Sequence, residues 1–375
     1  MRVLLVNDRS AAAGSGVEVH LGVLAAALED AGDVVELFAG EVAHRGPRRV
    51  LDIWDPWARR DLRRMAAHFQ PDVVHHHNVV RELSVSVLGV PAEAACVMSV
   101  HDVRLLTGAE GVRPPLAGRP LAAVKRAKGL LDRAVARRAV DVAVAHSHAI
   151  AEQVRALGFA DVREAPPLAS LPPAGLLRPP SSTREILYAG RLSPEKGVSV
   201  LLDAFARVSA SGRRARLVIA GDGPDGDELR ARAAGRADVE FAGMLGREEL
   251  DARMARARAV VAPSLGAEGG PVVVVEAALA GRPTIVSDVP GAAELVVRHG
   301  NGIVVLPGDT VALADAIVQL LDDPARADRL GAAGRDAAVT RYSPAAAVAA
   351  VRAAYEDAIE RRRRRMHARG VTASG

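Results

Sequence analysis

Short apolar runs alternate with helical patterns along most of the chain, and this alternation restricts the fold more than any other feature. A parallel sheet produces it, because its strands are buried on both faces and a helix connects each strand to the next. The alternation occurs in two series, separated at residues 169–183 by a proline-rich segment without periodicity. The predicted strands are Val3–Val6, Val34–Phe38, Asp72–His75, Val97–Val100 and Val142–Ala145 in the first series, and Ile186–Ala189, Leu217–Ala220, Val239–Ala242, Ala259–Ala262, Thr284–Ser287 and Ile303–Val305 in the second.

Two doubly wound α/β domains that face a cleft are therefore the predicted fold. At 375 residues the chain can bury two separate cores. We expect an N-terminal domain over residues 1–168, a linker over 169–183 and a C-terminal domain over 184–343. Residues 344–375 are predicted to form a helix with a basic tail.

Composition excludes several classes of protein. A single cysteine, Cys96, excludes an intramolecular disulfide. The chain shows neither a charged-then-apolar leader nor a run of about 18 apolar residues, which favours a cytoplasmic protein. The net charge of +4 is modest, and 3% aromatic residues offer few platforms for stacking bases, so nucleic acid is not an expected partner.

The stretch Pro263–Pro283 combines two carboxylates with a glycine-rich helix entrance. Glu268 and Glu276 are separated by seven residues, and a helix is predicted over Pro271–Ala280. The first N–H groups of such a helix can bind an anion. Carboxylates repel a phosphate, so we expect the two glutamates to accept hydrogen bonds from sugar hydroxyls on either side of a phosphate group. The alternative is a buried strand at Val272–Val275.

The spacing of the glutamates, with the letters EAALAGRP that begin at the second, resembles the retaining glycosyltransferases of family 4, which have the GT-B fold. The resemblance implies that Glu268 contacts the donor sugar and Glu276 the ribose of its nucleotide. Gly270 and Val272, at the helix entrance, are further predicted donor contacts. Many members carry Phe-Gly at Gly270-Pro271, and Pro271 has no N–H to donate.

Arg191 and Lys196 lie on the segment that follows the first strand of the second series. Two solvated charges in a turn are the ordinary explanation for such a pair. Lys196, however, is the only lysine in the second half of an arginine-rich chain. The segment also resembles the family's Gly-Arg-Leu-x-x-Glu-Lys-Gly element. That resemblance implies that both cations hold the donor diphosphate and stabilise it as a leaving group.

Two further segments follow strands of the second series. Gly243 and Leu245 lie where the family's backbone meets the nucleobase, so both are predicted donor contacts. Asp225-Gly226-Asp227 spells the Asp-x-Asp of metal-dependent glycosyltransferases. It lies in a turn-forming loop, and the cationic pair already serves the diphosphate, so we predict neither a metal nor a cofactor.

Glycines in the first series offer backbone N–H groups to the diphosphate. Gly14-Ser15-Gly16 lies between the first strand and a helix, and it resembles the family's Gly-Gly loop with Ser15 in place of one glycine. The resemblance implies that Gly16 contacts the donor. Glycines that serve only the turn are the alternative.

Histidines also follow strands of the first series. His101-Asp102 resembles the family's His-Asp element, which implies that His101 hydrogen-bonds the donor sugar; a structural histidine is the alternative. His75, His76 and His77 suggest a metal, but consecutive strand residues cannot all converge on one ion. Alternation places His75 and His77 on one face of the sheet.

Two basic stretches, Leu121–Ala139 and Arg361–Arg365, could contact an anionic membrane at its cytoplasmic face, and the first could instead lie beside an acidic acceptor. Solvated charges are the commoner explanation for both. In the family, the C-terminal helix crosses back onto the first domain.

The patterns and the resemblance together predict a metal-independent glycosyltransferase, and the family resemblance implies that it is a retaining one. It would move a sugar from a UDP- or GDP-sugar to a hydroxyl of a glycan, a lipid or a small molecule. A nucleotide-sugar epimerase or hydrolase on the same fold and a non-catalytic sugar-nucleotide binding module are the alternatives.

Overall fold

The computed structural model describes residues 1–8, 16–40, 54–79, 83–101, 103–107, 119–169 and 172–372. These residues form two compact units. The first comprises the described residues up to 168 together with 344–372, and the second comprises those from 169 to 343. Within this part of the chain, no helix is both long and apolar enough to cross a membrane.

The first unit is built on a six-stranded parallel sheet. Its strands are β1 (Arg2–Asn7), β2 (Val34–Ala39), β3 (Val73–His76), β4 (Ala95–Val100), β5 (Val142–Ala145) and β6 (Val162–Glu164), in the spatial order β2-β1-β3-β4-β5-β6. Its described helices are α1 (Gly16–Asp30), α2 (Pro56–Phe69), α3 (Arg104–Thr107), α4 (Arg119–Ala139), α5 (His148–Ala156) and, from the last part of the sequence, α13 (Pro344–Thr372). The strand order reverses direction between β1 and β3.

The second unit is also built on a six-stranded parallel sheet. Numbered within the unit, its strands have the order 3-2-1-4-5-6, which is common in doubly wound folds. Its strands are β7 (Glu185–Ala189), β8 (Arg216–Ala220), β9 (Val239–Gly243), β10 (Ala259–Ala262), β11 (Thr284–Ser287) and β12 (Gly302–Val305), in the order β12-β11-β10-β7-β8-β9. Its helices are α6 (Val198–Ala210), α7 (Gly226–Arg232), α8 (Arg247–Arg256), α9 (Val272–Leu279), α10 (Ala293–His299), α11 (Thr310–Asp322) and α12 (Pro324–Arg341).

All the strands predicted from the sequence are confirmed, with ends that differ by at most two residues. β6 was not predicted, because it is short and only Val162 of its three residues is buried. The helix predicted over Pro271–Ala280 is confirmed but shorter: Pro271 has an extended ψ of 111° and precedes the first helical residue. The alternative of a strand at Val272–Val275 is wrong. Those valines lie in a helix surrounded by core, and such a helix is apolar on every side.

The prediction that the C-terminal helix packs on the first domain is confirmed. α13 packs against α1, β4 and β5. The Tyr355 hydroxyl lies 2.8 Å from His75 Nδ1, and Ser99 Oγ lies 2.9 Å from His75 Nε2, all in the buried interior. Both nitrogens of His75 are therefore occupied by structural partners.

The arginine run near the end of α13 is largely bound within the first unit. Arg362 and Arg365 pair with Asp141 at 2.7 and 3.0 Å, and Arg361 pairs with Asp161. The side chain of Arg362 is only 11% exposed. This part of the helix therefore has a docking role beyond that of a solvated tail.

Candidate active site

The candidate site of the second unit lies at the carboxyl edge of its sheet, where the strand order reverses between β7 and β10. In open α/β sheets, ligands bind outside the carboxyl ends of the strands at such a reversal. The loop after β7 carries Arg191 and Lys196, and the loop after β10 carries Ser264 and Glu268. The strand order thus places the loop after β7 next to the loop after β10, although the two are far apart in the sequence.

Backbone contacts fasten these two loops to each other. The Leu265 N–H donates to the Glu195 carbonyl at 2.8 Å. Gly197 has φ +67°, and a Cβ there would lie 2.0 Å from the Pro263 carbonyl oxygen. Only glycine combines that dihedral angle with so close an approach. The lysine before Gly197 is consequently held against the β10 loop.

Lys196 and Glu268 form an ion pair across the junction. Lys196 Nζ donates to both carboxylate oxygens of Glu268, at 2.7 and 2.8 Å. The Ser264 hydroxyl donates to the same carboxylate. The side chains of Lys196 and Glu268 are 30% and 14% exposed, so each retains a surface that a ligand can reach.

The backbone of Glu268 is fixed by a third loop. Its N–H donates to the Pro290 carbonyl at 2.9 Å. Gly291 has φ +86°, and a Cβ at this position would lie 1.8 Å from the Glu268 carbonyl oxygen. Any side chain on Gly291 would displace the acidic loop, so this glycine supports the position of Glu268.

Glu276 lies on α9, buried to 6% exposure, and Arg247 at the start of α8 binds it. Arg247 also contacts Asp251. Burial raises the pKa of Glu276, and Arg247 only partly offsets this effect. Burial works to lower the pKa of Arg247, but the two carboxylates outweigh it, so that pKa is raised. Arg247 was not predicted from the sequence, because it lies far along the chain from Glu276 and matches no local pattern.

The remaining predicted donor contacts of the second unit surround these residues. Arg191 is exposed and forms no ion pair with any described residue, while its carbonyl accepts a 2.8 Å hydrogen bond from the buried Tyr188 hydroxyl. Gly243 ends β9, and Leu245 packs against the apolar cluster that includes Ala277 of α9. Gly270 and Val272 lie at the entrance of α9.

The Asp-x-Asp segment lies at the start of α7. Asp225 precedes α7, and the side chain of Asp227 is fully exposed and pairs with Arg230 at 3.1 Å. Across the described residues, the histidine, cysteine and acidic side chains with metal-like spacing are His20, His101 and His146, all in the first unit.

Histidines gather in the first unit. His101 follows β4, and its Nε2 lies 3.2 Å from His77 Nδ1. The rings of His75 and His77 lie 4.2 Å apart, which confirms that they share a face of the sheet. These three residues were singled out from the sequence, whereas His20 of α1 and His146 after β5 were not. Gly16 begins α1, while Gly14, Ser15 and Asp102 lie outside the described residues.

Both units match models of known families. Residues 14–167 match the model described as Glycosyltransferase Family 4, and residues 183–323 match Glycosyl transferases group 1. Together the two matches account for most of the chain. The chain belongs to glycosyltransferase family 4. Its two parallel-sheet units agree with the GT-B fold expected of this family.

Curated relatives of this family 4 chain act on several kinds of substrate, as their names show. Alpha-D-kanosaminyltransferase from Streptomyces kanamyceticus is 35% identical over 43% of the chain and 42% of its own length. Phosphatidyl-myo-inositol mannosyltransferase from Mycobacterium leprae is 37% identical over 51% of the chain and 49% of its own length. The chain thus aligns with about half the length of these relatives.

Solved structures of low sequence identity share the fold. Sucrose-phosphate synthase from Thermosynechococcus elongatus superposes with a TM-score of 0.75 at 20% identity, over 100% of both chains. Anabaena HepE, in complex with UDP and glucose, has a TM-score of 0.69 at 20% identity, over 94% of this chain and 98% of its own.

Proposed function

We propose that the protein is a retaining glycosyltransferase that uses a nucleotide-diphosphate sugar as donor. The observation that carries the proposal is the Lys196–Glu268 pair at the reversal of the second sheet. A sugar diphosphate places a phosphate beside sugar hydroxyls. The Lys196 ammonium and the Glu268 carboxylate lie 2.7 Å apart, so the ammonium can bind the phosphate while the carboxylate accepts hydrogen bonds from the hydroxyls beside it.

The other residues extend this match along the donor. Arg191 is exposed beside Lys196 in the same loop and would share the charge of the diphosphate. The N-terminus of α9 at Val272 adds N–H groups. Glu276 would accept hydrogen bonds from the ribose, and Gly243, Leu245 and Gly270 would border the nucleotide. For Gly16 and His101 in the first unit, donor contacts are proposed on the family resemblance alone.

In the proposed reaction, the bond between the sugar C1 and the phosphate oxygen breaks as an acceptor oxygen bonds to C1 on the same face. The acceptor proton passes to the departing phosphate oxygen. Arg191 and Lys196 stabilise the negative charge that develops on the diphosphate, and Glu268 stabilises the positive charge that develops at the sugar.

These cations leave no step that requires a divalent metal, so we propose metal independence. UDP- and GDP-sugars are the proposed donors, and a glycan, a lipid or a small molecule is the proposed acceptor. We propose a cytoplasmic location with peripheral membrane contact through α4, where Leu130 and Leu131 are 56% and 48% exposed. The side chains of α4 before residue 127 lie outside the described part.

Product analysis tests the proposal. The chain is incubated with a panel of UDP- and GDP-sugars, with and without acceptor sugars, lipids and small alcohols, and products are identified by NMR. We expect acceptor-dependent transfer with retained anomeric configuration. Epimerised or hydrolysed donor regardless of acceptor, or donor binding without any turnover, would overturn it. Lys196→Gln should abolish most transfer, whereas Arg232→Gln, which removes a surface pair with Asp203, should not.

A further inference from the structure

Five histidines lie together at the carboxyl edge of the first sheet. His75 and His77 come from the end of β3, His20 from α1, His101 from the loop after β4 and His146 from the loop after β5. His75 is bound to Tyr355 and Ser99 as described above. The other four rings face one another, with centroids no more than 5.7 Å apart for each contacting pair.

Three of these rings have the geometry of metal ligands. His20, His101 and His146 each place a ring nitrogen within 4.8 Å of the other two. Their centroids are 4.8, 4.9 and 5.4 Å apart. Three imidazoles around a tetrahedral zinc, with Zn–N near 2.1 Å, have centroids roughly 5 Å apart and nitrogens roughly 3.4 Å apart. The ring centroids therefore already have about the required separation, and the nitrogens need to approach one another by at most about 1.4 Å.

The protonation of the rings also suits a metal. His20 and His146 are buried, and burial lowers the pKa of His20 well below its ordinary value and that of His146 to about 4. Burial and the neighbouring histidines also lower the pKa of His101. A neutral imidazole has a nitrogen lone pair for a metal, and an imidazolium does not.

Hydrogen bonds leave metal-binding atoms unpartnered. His146 Nδ1 donates to the Ala165 carbonyl at 3.1 Å, which leaves Nε2 as the lone-pair nitrogen. A backbone carbonyl on the second nitrogen is the usual partner of a metal-bound histidine. Nε2 of both His20 and His146 is buried without a hydrogen-bond partner among the described residues.

A contact of His20 must change on binding. The Leu168 N–H donates to His20 Nδ1 at 3.3 Å, whereas a ligating Nε2 needs the proton on Nδ1. That distance lies beyond the usual range for an N–H hydrogen bond, so the contact to be exchanged is weak. His77 lies 3.2 Å from His101 Nε2 and holds that ring in place.

We propose that His20, His101 and His146 form a binding site for a divalent transition-metal ion such as Zn²⁺, with a fourth position open to water. Imidazole nitrogen is a ligand that zinc, copper and nickel share. Because the ion takes His101, it inhibits turnover, a consequence that rests on the proposed function. The binding itself involves no substrate and can be measured independently of that function.

Metal titration tests the site. The full chain, free of any polyhistidine tag, is treated with EDTA, dialysed and titrated with Zn²⁺ by calorimetry. We expect one Zn²⁺ per chain and at least about tenfold weaker binding in His20→Gln and in His146→Gln, since loss of a supporting contact alone weakens metal sites by 10- to 100-fold. His76→Gln is the matched control, because His76 is also buried but lies outside the group of three.

Co²⁺ titration of the unmodified chain provides a measurement that does not depend on whether variants fold. Visible absorption bands of tetrahedral nitrogen-bound Co²⁺ are expected. Absence of stoichiometric binding, or equal binding by His20→Gln and the unmodified chain, would overturn the proposal, and the cluster would then hold only water or a ligand hydroxyl. If Zn²⁺ binds but does not inhibit, the metal site stands and the donor contact of His101 is wrong.

Discussion

Replacing Glu268 with glutamine should change two measurements in opposite directions. Lys196 donates to both oxygens of Glu268, so a diphosphate that binds Lys196 competes with that carboxylate for the ammonium. The pair is partly exposed, and such pairs contribute up to about 1 kcal/mol. Glu268→Gln removes this competition, so the free nucleoside diphosphate should bind up to about fivefold more tightly.

Turnover of the same variant should fall. If Glu268 accepts hydrogen bonds from the sugar, the loss of a charged acceptor is worth about 1.5 to 3 kcal/mol, or roughly 10- to 150-fold in kcat/KM. The drop can be larger in kcat, because the carboxylate stabilises the positive charge of the transition state more than the ground state. Affinity for the free diphosphate is measured by calorimetry, and kcat/KM by release of that diphosphate.

Glu249→Gln is the matched control, since Glu249 is an exposed glutamate that belongs to α8 and not to these loops. It should leave both measurements unchanged. If Glu268→Gln weakened the free diphosphate as much as the sugar nucleotide, the assignment of Glu268 to the sugar would be wrong. The residue would then be a phosphate or ribose contact.

Further predictions concern the ribose contact, metals and stability. Glu276→Gln should weaken free nucleotide and sugar nucleotide alike, by about 10- to 150-fold; a loss confined to the sugar nucleotide would contradict this. Because burial raises the pKa of Glu276, nucleotide affinity of the unmodified chain should fall as the pH drops through that raised value, while Glu276→Gln shows no such fall in calorimetry at several pH values. EDTA should leave the initial rate unchanged, or raise it by removing an inhibitory metal ion from His101. A loss of activity that Mg²⁺ or Mn²⁺ restores would instead indicate that Asp225 and Asp227 bind a metal needed for turnover. Tyr355→Phe should lower the free energy of unfolding by about 1 to 3 kcal/mol in denaturant titrations, because His75 loses a buried partner; an unchanged midpoint would contradict that reasoning.

The strands and the helix after β10 were predictable because their signals are local. A buried parallel strand is a continuous apolar run, and a helix entrance is marked by glycine and proline within a few residues. β6 was missed because Arg163 and Glu164 are exposed and only one apolar residue remains to mark it. The position of Pro271, just outside the helix, depends on a single ψ angle that sequence does not fix.

The residues that complete the two candidate sites were missed for a different reason. Arg247 reaches Glu276 from another helix. A buried carboxylate needs a cationic partner, but the sequence does not identify which of the many arginines is that partner. His20 and His146 join His101 only when α1 and two strands of the first sheet come together. In the sequence, the three consecutive histidines His75–His77 suggested a metal site. The proposed site instead uses histidines that lie on separate elements.

The assembly of the first unit from residues before 169 and after 343 affects how a ribosome can produce it. α13 covers the face of the sheet that includes Leu5, Val97 and Val144. The ribosome synthesises these residues long before Tyr355 of α13, which packs in the same apolar cluster. At 5 to 20 residues per second, the sheet waits roughly 9 to 35 s for its covering helix. The described residues of the second unit all lie between 169 and 343, so we expect this unit to finish folding before the first unit is complete. During that interval the growing chain presents an apolar surface, so we expect the first unit to be the more prone to aggregation during synthesis.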